Sequence, residues 1–434
     1  MRVVAILVLL LGLGATVWWL QRDSSDRQEP EASFVTDPRA VTYDWKALKG
    51  RWRLSPTDLP GLSEEEKENL ERLQSLGYLS GSREATSPGG VLSWDESLSA
   101  PGANLFVSGH SPEAQLMDAE GKLLHRWTFA FKSAFPDMEV PGDSNAPDYF
   151  RRVHLYPNGD LLVIFEGLGL VKIDKDSNLI WAYGHGCHHD LRVKENGYIF
   201  VLTREPALLP RIHQRQVIYE DFVTVLSPEG KLLKKISILE AFENSPYANH
   251  LGEVPEHGDL LHTNTIQLLD DFSGDPRLGP GNVLISCLTI SSLAIMDLVT
   301  GRIIWAKQGE WVAQHQPIFK NDDRILLLDN RGNQGFSRVL ELEFDSGEIL
   351  WTYEGSPPES FWTYDCGSIQ LLPNDHVLVC ESNSGRAFEI TREGKVVWEF
   401  LSPYRAGEEK ELIATLFDLV RLPPDFPLDW IQNP

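Results

Sequence analysis

Cysteine is scarce here: four residues in a chain of 434, with no Cys-x-x-Cys pair. That excludes a disulfide-stapled scaffold and gives no signature of structural zinc. Cations are also in short supply, 39 Lys and Arg against 63 Asp and Glu, for a formal net charge of -24. A general nucleic-acid binder needs surplus cations to displace counterions condensed on phosphates, so no nucleic-acid partner is expected. A local basic pocket remains compatible with this balance. What the chain does have is apolar residues, 42% of the total, enough for one large all-β unit or two ordinary domains.

One long apolar run stands at the start. It spans Val3 to Leu20, after Arg2 and before Gln21, Arg22 and Asp23. As a helix it would rise about 27 Å, close to the hydrocarbon thickness of a bilayer. A cleaved signal peptide is the rival reading, but the run carries bulky Trp18 and Trp19 and lacks an Ala-x-Ala site. An uncleaved transmembrane signal-anchor over 1–22 is expected, leaving the large domain in the periplasm or otherwise outside the cytoplasm. Residues 23–97 read as a tether with one short helix. Ser63 and Glu66 form a capping box there, and Leu70, Leu73 and Leu76 give apolar spacing.

Beyond residue 100 one unit returns six times: a turn, a short apolar run, then a closing aromatic or apolar residue. The closing positions are Trp127, Trp181, Ile236, Trp305, Trp351 and Trp398. The period is roughly 50 residues and the local pattern is that of strands, which points to propeller blades. Asn158-Gly159 and Asn196-Gly197 mark tight hairpins between them. The expected fold is all-β, a six-bladed β-propeller over 98–404, with short helical segments at both ends. A pair of β-sandwiches is the alternative. Insertions at 204–222 and 239–260 interrupt the rhythm and are expected to cover one face. Residues 405–434 read as a helix around Ile413–Leu422 followed by a strap; a protein partner for this tail stays open.

The hairpin turns also serve as rulers. Counting back from Asn158, Asn196 and Asn374 aligns Phe150 with His188 and Cys366, then Arg151 with His189 and Gly367, then Arg152 with Asp190 and Ser368. The fourth unit places His262, Thr263 and Asn264 there, and the fifth Gln314, His315 and Gln316. Innermost strands line a propeller's axis, so this register gathers His188, His189, His262, His315, Arg151 and Arg152. Two chemistries fit. An imidazole can act as nucleophile or acid–base group while Arg and other imidazoles hold an oxyanion. Alternatively three His, with Asp190 or Cys187, bind a transition metal. Adjacent strand residues face opposite sides, so only one of each neighbouring pair is expected to point inward. Cys187, Cys287 and Cys366 fall near the axis as packing groups or thiols, and a Cys187–Cys366 disulfide stays open.

Several of these elements resemble the arylsulfotransferase family of six-bladed propellers. They are His188-His189-Asp190 before a hairpin, His262-Thr263-Asn264, Gln314-His315 leading to Leu328-Asp329-Asn330, and Ser337-Arg338. Asn383-Ser384-Gly385-Arg386 and Val397-Trp398-Glu399 extend the resemblance to the last blade. The resemblance implies sulfuryl transfer from an aryl sulfate to a phenol through a histidine, without a phosphoadenosine cofactor. It implies His262 as nucleophile, Asn264 as its polar neighbour, and His315 with His188 or His189 at the sulfate. The family also carries an Arg after its equivalent of Val283-Leu284-Ile285-Ser286; here Cys287 and Leu288 follow, so that clamp is absent. Arg151, Arg152 or Arg204 are the candidates to replace it. The alternatives are a membrane-anchored propeller for binding or assembly and a metal-dependent extracytoplasmic enzyme.

Overall fold

The computed structural model describes residues 52–54, 89–140, 144–213, 215, 217–255, 258–406 and 412–431. The expected anchor at 1–22 and the helix after Ser63 lie outside these residues. Six antiparallel sheets follow one another as blades of a β-propeller. Blades two to five each begin with their innermost strand: Arg152–Leu155, Cys187–Val193, Thr263–Leu268 and His315–Asn321. Blade six begins with Ser368–Leu371 and gains a fifth, outermost strand, Gly90–Trp94, which pairs with Val396–Leu401. The propeller therefore begins before residue 98.

Blade one closes the ring in a way that corrects one expectation. The segment read as a C-terminal helix is the strand Leu416–Arg421, antiparallel to Asn104–Ser108 and innermost in its sheet. A continuous apolar run can be a helix or a strand buried on both faces, and periodicity alone does not separate them. Here Leu416, Phe417 and Leu419 are all buried, so both faces are covered.

The recurring Trp of four units ties each of those blades to the next. Trp127 Nε1 donates to the Gly159 carbonyl at 3.0 Å, Trp181 to Pro228 at 3.1 Å, Trp351 to Arg392 at 2.8 Å, and Trp398 to Ala119 at 2.9 Å. Each bond runs from the fourth strand of one blade to a turn of the next. Between blades lie the apolar clusters, one per interface. Leu162, Leu170, Val201 and Leu226 join blades two and three, for example, and Leu326, Val339, Val379 and Phe388 join five and six. Asn158-Gly159 and Asn196-Gly197 form their turns with both glycines at positive φ. Asp375 takes that conformation in the third hairpin, at φ 63°.

The axis is plugged by a polar ring. Arg152 Nη1 pairs with Asp418 Oδ2 at 2.6 Å, and its Nε lies 3.5 Å from Asp190 Oδ1. Its Nη2 donates to Gln316 Oε1 at 3.0 Å. Ser368 Oγ donates to Asp418 at 2.7 Å, and the Gln316 backbone N–H donates to Thr265 Oγ1 at 3.0 Å. Every blade contributes one member. Arg152→Met would leave the buried Asp418 carboxylate without its cation, while Asp190 keeps Arg192, a loss of about 3–5 kcal/mol. Urea denaturation should show a lower midpoint for this variant, while Lys395→Met, which removes an exposed pair with Asp95, should shift it little.

Candidate functional site

Above the plug a cavity of about 300 Å³ opens, lined by Arg151, Glu166, His189, Arg204 and His262, with Leu288, Ala313, Arg331, Tyr364, Asp365 and Cys366 completing the wall. The structure thus brings Arg151, His189 and His262 to one cavity. His188 lies directly behind His189. His315 is buried close enough for Arg151 and His262 to act on its charge. Arg152 and Asn264 are placed elsewhere: Arg152 belongs to the plug, and Asn264 Nδ2 donates to the Gln314 carbonyl at 2.7 Å.

The backbone here is unusual. His189 and His262 hold φ of 52° and 49°, the left-handed region that residues other than glycine seldom adopt. Register shifts interrupt three inner strands, between His188 and Leu191, Thr263 and Thr265, and His315 and Ile318. At the first bulge only His189 lines the cavity, and His188 stays in contact behind it, their Nδ1 atoms meeting at 2.8 Å.

Hydrogen bonding fixes several ring states. His262 Nδ1 sits 2.9 Å from Asp259 Oδ2, so Nδ1–H donates to the carboxylate and Nε2 is left for the cavity. Burial pushes this imidazole down, but the Asp259 bond and the charges of Asp259, Asp221 and Glu166 outweigh it and hold it above its ordinary value. His315 Nδ1 faces two acceptors, the Ala313 carbonyl and Asn330 Oδ1, both at 2.9 Å. The Asn330 amide is committed to the Thr363 and Cys366 carbonyls, so His315 carries its proton on Nδ1. Its buried Nε2 is a lone pair with no hydrogen-bond partner among the described residues. Burial pushes His188 and His315 down to about 4 and His189 well below the usual range.

Carboxylates and guanidiniums alternate around the cavity. Arg151 lies 3.5 Å from Glu166, and Arg204 lies 4.0 Å from Glu166 and 3.4 Å from Asp259. Burial alone would raise Glu166, but Arg151 and Arg204 hold it low. Arg331 differs from both: its guanidinium stacks over Tyr364 at 4.4 Å, and its buried Nε has no hydrogen-bond partner among the described residues. Sequence reasoning missed Arg331, although it directly follows Leu328-Asp329-Asn330. It also missed Glu166, Asp221 and Asp259, which come from the turn after a second strand, from a third strand and from the 239–260 insertion rather than from innermost strands.

Glu166, His188 and His189 offer ligand atoms within 4.8 Å of one another. Two guanidiniums already share the Glu166 carboxylate and would repel a dication. Asp190 is occupied by Arg192 and the Ile266 N–H, and Cys187 is buried and free. We therefore read the cluster as a hydrogen-bond line. None of the four cysteines is in a disulfide, so the Cys187–Cys366 bond is not formed.

The sequence matches the family described as Arylsulfotransferase (ASST) over residues 152–403, and the chain belongs to that family. No curated protein matches the sequence. Among solved structures it is similar to a Bacteroides caccae protein of unknown function, at 14% identity and TM-score 0.47, covering 74% of this chain and 98% of that one. It is also similar to the WD40 β-propeller domain of Doa1, at 13% identity and TM-score 0.43, covering 77% of this chain and 95% of that one.

The depressed imidazoles carry a stability consequence. A histidine held neutral in the fold contributes stability above its unfolded pKa and loses it as pH falls toward the folded value. His188 and His315 should each contribute about 3 kcal/mol of acid destabilisation between about pH 6.5 and 4. His262, shifted the opposite way, should not share this loss. Thermal melts across that window should show a steep decline that His315→Gln makes shallower. An unchanged slope in the variant would contradict the burial of this ring.

Proposed function

We propose that the protein transfers a sulfuryl group from an aryl sulfate ester to a phenolic acceptor through an intermediate on His262. The observation that carries this reading is the His262–Asp259 pair opening onto a cavity walled by guanidiniums. His262 Nε2 attacks sulfur, the N–S bond forms, and the S–O bond to the phenol breaks with its electron pair on the phenolate oxygen. Asp259 accepts the Nδ1 proton's hydrogen bond and balances the cation that develops on the ring. An acceptor phenol then takes the group by the reverse steps. Arg331, the guanidinium on the cavity wall without a carboxylate partner among the described residues, is suited to the sulfate oxygens, with Arg151 beside it. His315 offers a lone pair at Nε2, so it accepts from a substrate hydroxyl and does not donate to sulfate. No diffusible nucleotide enters the scheme, which suits a domain held outside the cytoplasm by an anchor at 1–22.

Leu288 favours a second reading. It lines the cavity where the family resemblance leads one to expect an arginine, as in a propeller that binds sulfate esters without turning them over. Rapid mixing with 4-nitrophenyl sulfate separates the two. A burst of one equivalent of phenol before acceptor is added, lost in His262→Ala, is the expected result. Arg331→Met should keep the fold and lower kcat/KM by about 10–100-fold. Sulfate binding with no phenol release from the wild-type protein would establish the second reading instead.

A further inference from the structure

We propose that a buried line from Asp221 through His188 to His189 delivers the proton that neutralises the departing phenolate, with His189 as the general acid and Asp221 and His188 acting through it. This rests on the sulfuryl-transfer reading above.

Asp221 lies in the third strand of blade three, Ile218–Leu226, and is buried. Its Oδ2 accepts from the Thr263 backbone N–H at 2.8 Å, next to His262. Its Oδ1 lies 3.6 Å from His188 Nε2, and neither atom has another hydrogen-bond partner among the described residues. Two orphaned buried polar atoms facing each other are costly unless a proton joins them, and closing the gap needs only a few tenths of an ångström. From His188 the line continues through the 2.8 Å Nδ1–Nδ1 contact to His189, whose ring centroid lies 4.9 Å from that of His262.

Two proton arrangements satisfy every nitrogen on this line. In the first, Asp221 is protonated and donates to His188 Nε2, His188 Nδ1–H donates to His189 Nδ1, and His189 presents Nε2–H to the cavity. In the second, each proton has moved one step. Asp221 is a carboxylate accepting from His188 Nε2–H, and His189 Nδ1–H is shared between His188 Nδ1 and Glu166 Oε1, the latter 3.3 Å away. The passage from first to second gives one proton to the phenolate and takes one from Asp221. No imidazolium persists on the line, which burial would penalise.

The same geometry supplies the trigger. Burial and the neighbouring Asp259 carboxylate push Asp221 up to about 7, so it holds a proton readily; His262 pulls the other way. Sulfuration at Nε2 leaves His262 with Nδ1–H and a fixed positive charge. That cation favours the Asp221 carboxylate and drives the proton outward as the leaving group departs. The other groups near the line are Cys287, beside Asp221 across Thr263, Arg204 and Glu166, which act on His188, and Arg151 and Arg204, which act on His189. In the second half-reaction the acceptor phenol returns a proton to His189 Nε2, and Asp221 is reprotonated.

Leaving-group dependence tests the line, because a proton matters most for a basic phenolate. Asp221→Asn should release 4-nitrophenol from its sulfate within about tenfold of the wild-type rate, yet lose about 10²–10³-fold with phenyl sulfate. His188→Gln should show the same steepened dependence. A uniform loss across donors, or undiminished release from phenyl sulfate, overturns the proposal. Failure of the sulfuryl-transfer reading is distinguishable, since wild-type protein would then give no 4-nitrophenol burst. Nitrogen-15 NMR of histidine-labelled protein adds a readout free of turnover. His188 should switch from Nδ1–H to Nε2–H as pH rises through the Asp221 titration, and a wild-type protein without that switch also refutes the line.

Discussion

A single guanidinium on the axis ties the blades together. Arg152 is almost fully buried, so its charge is tolerable only because Asp418 and Asp190 face it and Gln316 accepts from it. These partners come from the first, third and fifth blades, and Ser368 reaches the same Asp418 from the sixth. A buried ion pair is weak evidence of net stability, but breaking one is expensive. The ring therefore fixes how the inner strands sit relative to one another, and the catalytic candidates stand on the ends of those strands.

That rigidity bears on the strain above it. Holding a residue other than glycine in the left-handed region costs of order 1–3 kcal/mol, and such residues persist only where the surroundings over-determine them. His189 and His262 both do so, at the mouths of adjacent blades, and Gln316 does so inside the plug at φ 48°. The Asp259 carboxylate accepts from both the backbone N–H and the ring of His262, at 3.0 and 2.9 Å, and Glu166 accepts from the His189 backbone. The carboxylates thus hold the strained backbone and set the ring chemistry together.

The hairpin rulers made much of this legible before any coordinates. They put Arg152, Asp190 and Ser368 in one register with Asn264 and Gln316, and all five make side-chain bonds within the plug. Asn264 accepts from Thr265 Oγ1 at 3.1 Å and also donates to the Gln314 carbonyl. Arg151, His189 and His262, gathered by the same rulers, line one cavity. What the sequence hid has physical causes. A bulge changes strand parity without leaving a composition signal, so the pairing of His188 with His189 was not readable. The closing strand Leu416–Arg421 is buried on both faces and lacks the alternation that would betray it. Arg331 reaches the cavity, and Asp221 and Asp259 reach the histidines beside it, from positions that a search of inner-strand entrances does not visit.

The charge arrangement reconciles a strongly acidic chain with an anion-receiving site. Glu166 and Asp259 lie against Arg151 and Arg204, so those four groups nearly cancel while holding one another in place. Of the remaining charges on the wall, Asp365 accepts from Asn383 Nδ2 at 3.1 Å, and Arg331 has no carboxylate partner among the described residues, so the positive potential rests locally on Arg331 and on whatever proton His262 carries. A sulfate monoester bears one negative charge, which that guanidinium can meet. When His262 takes the sulfuryl group, its new cation lies among Asp259, Asp221 and Glu166, the three carboxylates already raising its affinity for positive charge. The surplus of acid in this chain is therefore not opposed to the proposed chemistry: within the site it is what stabilises the charged intermediate.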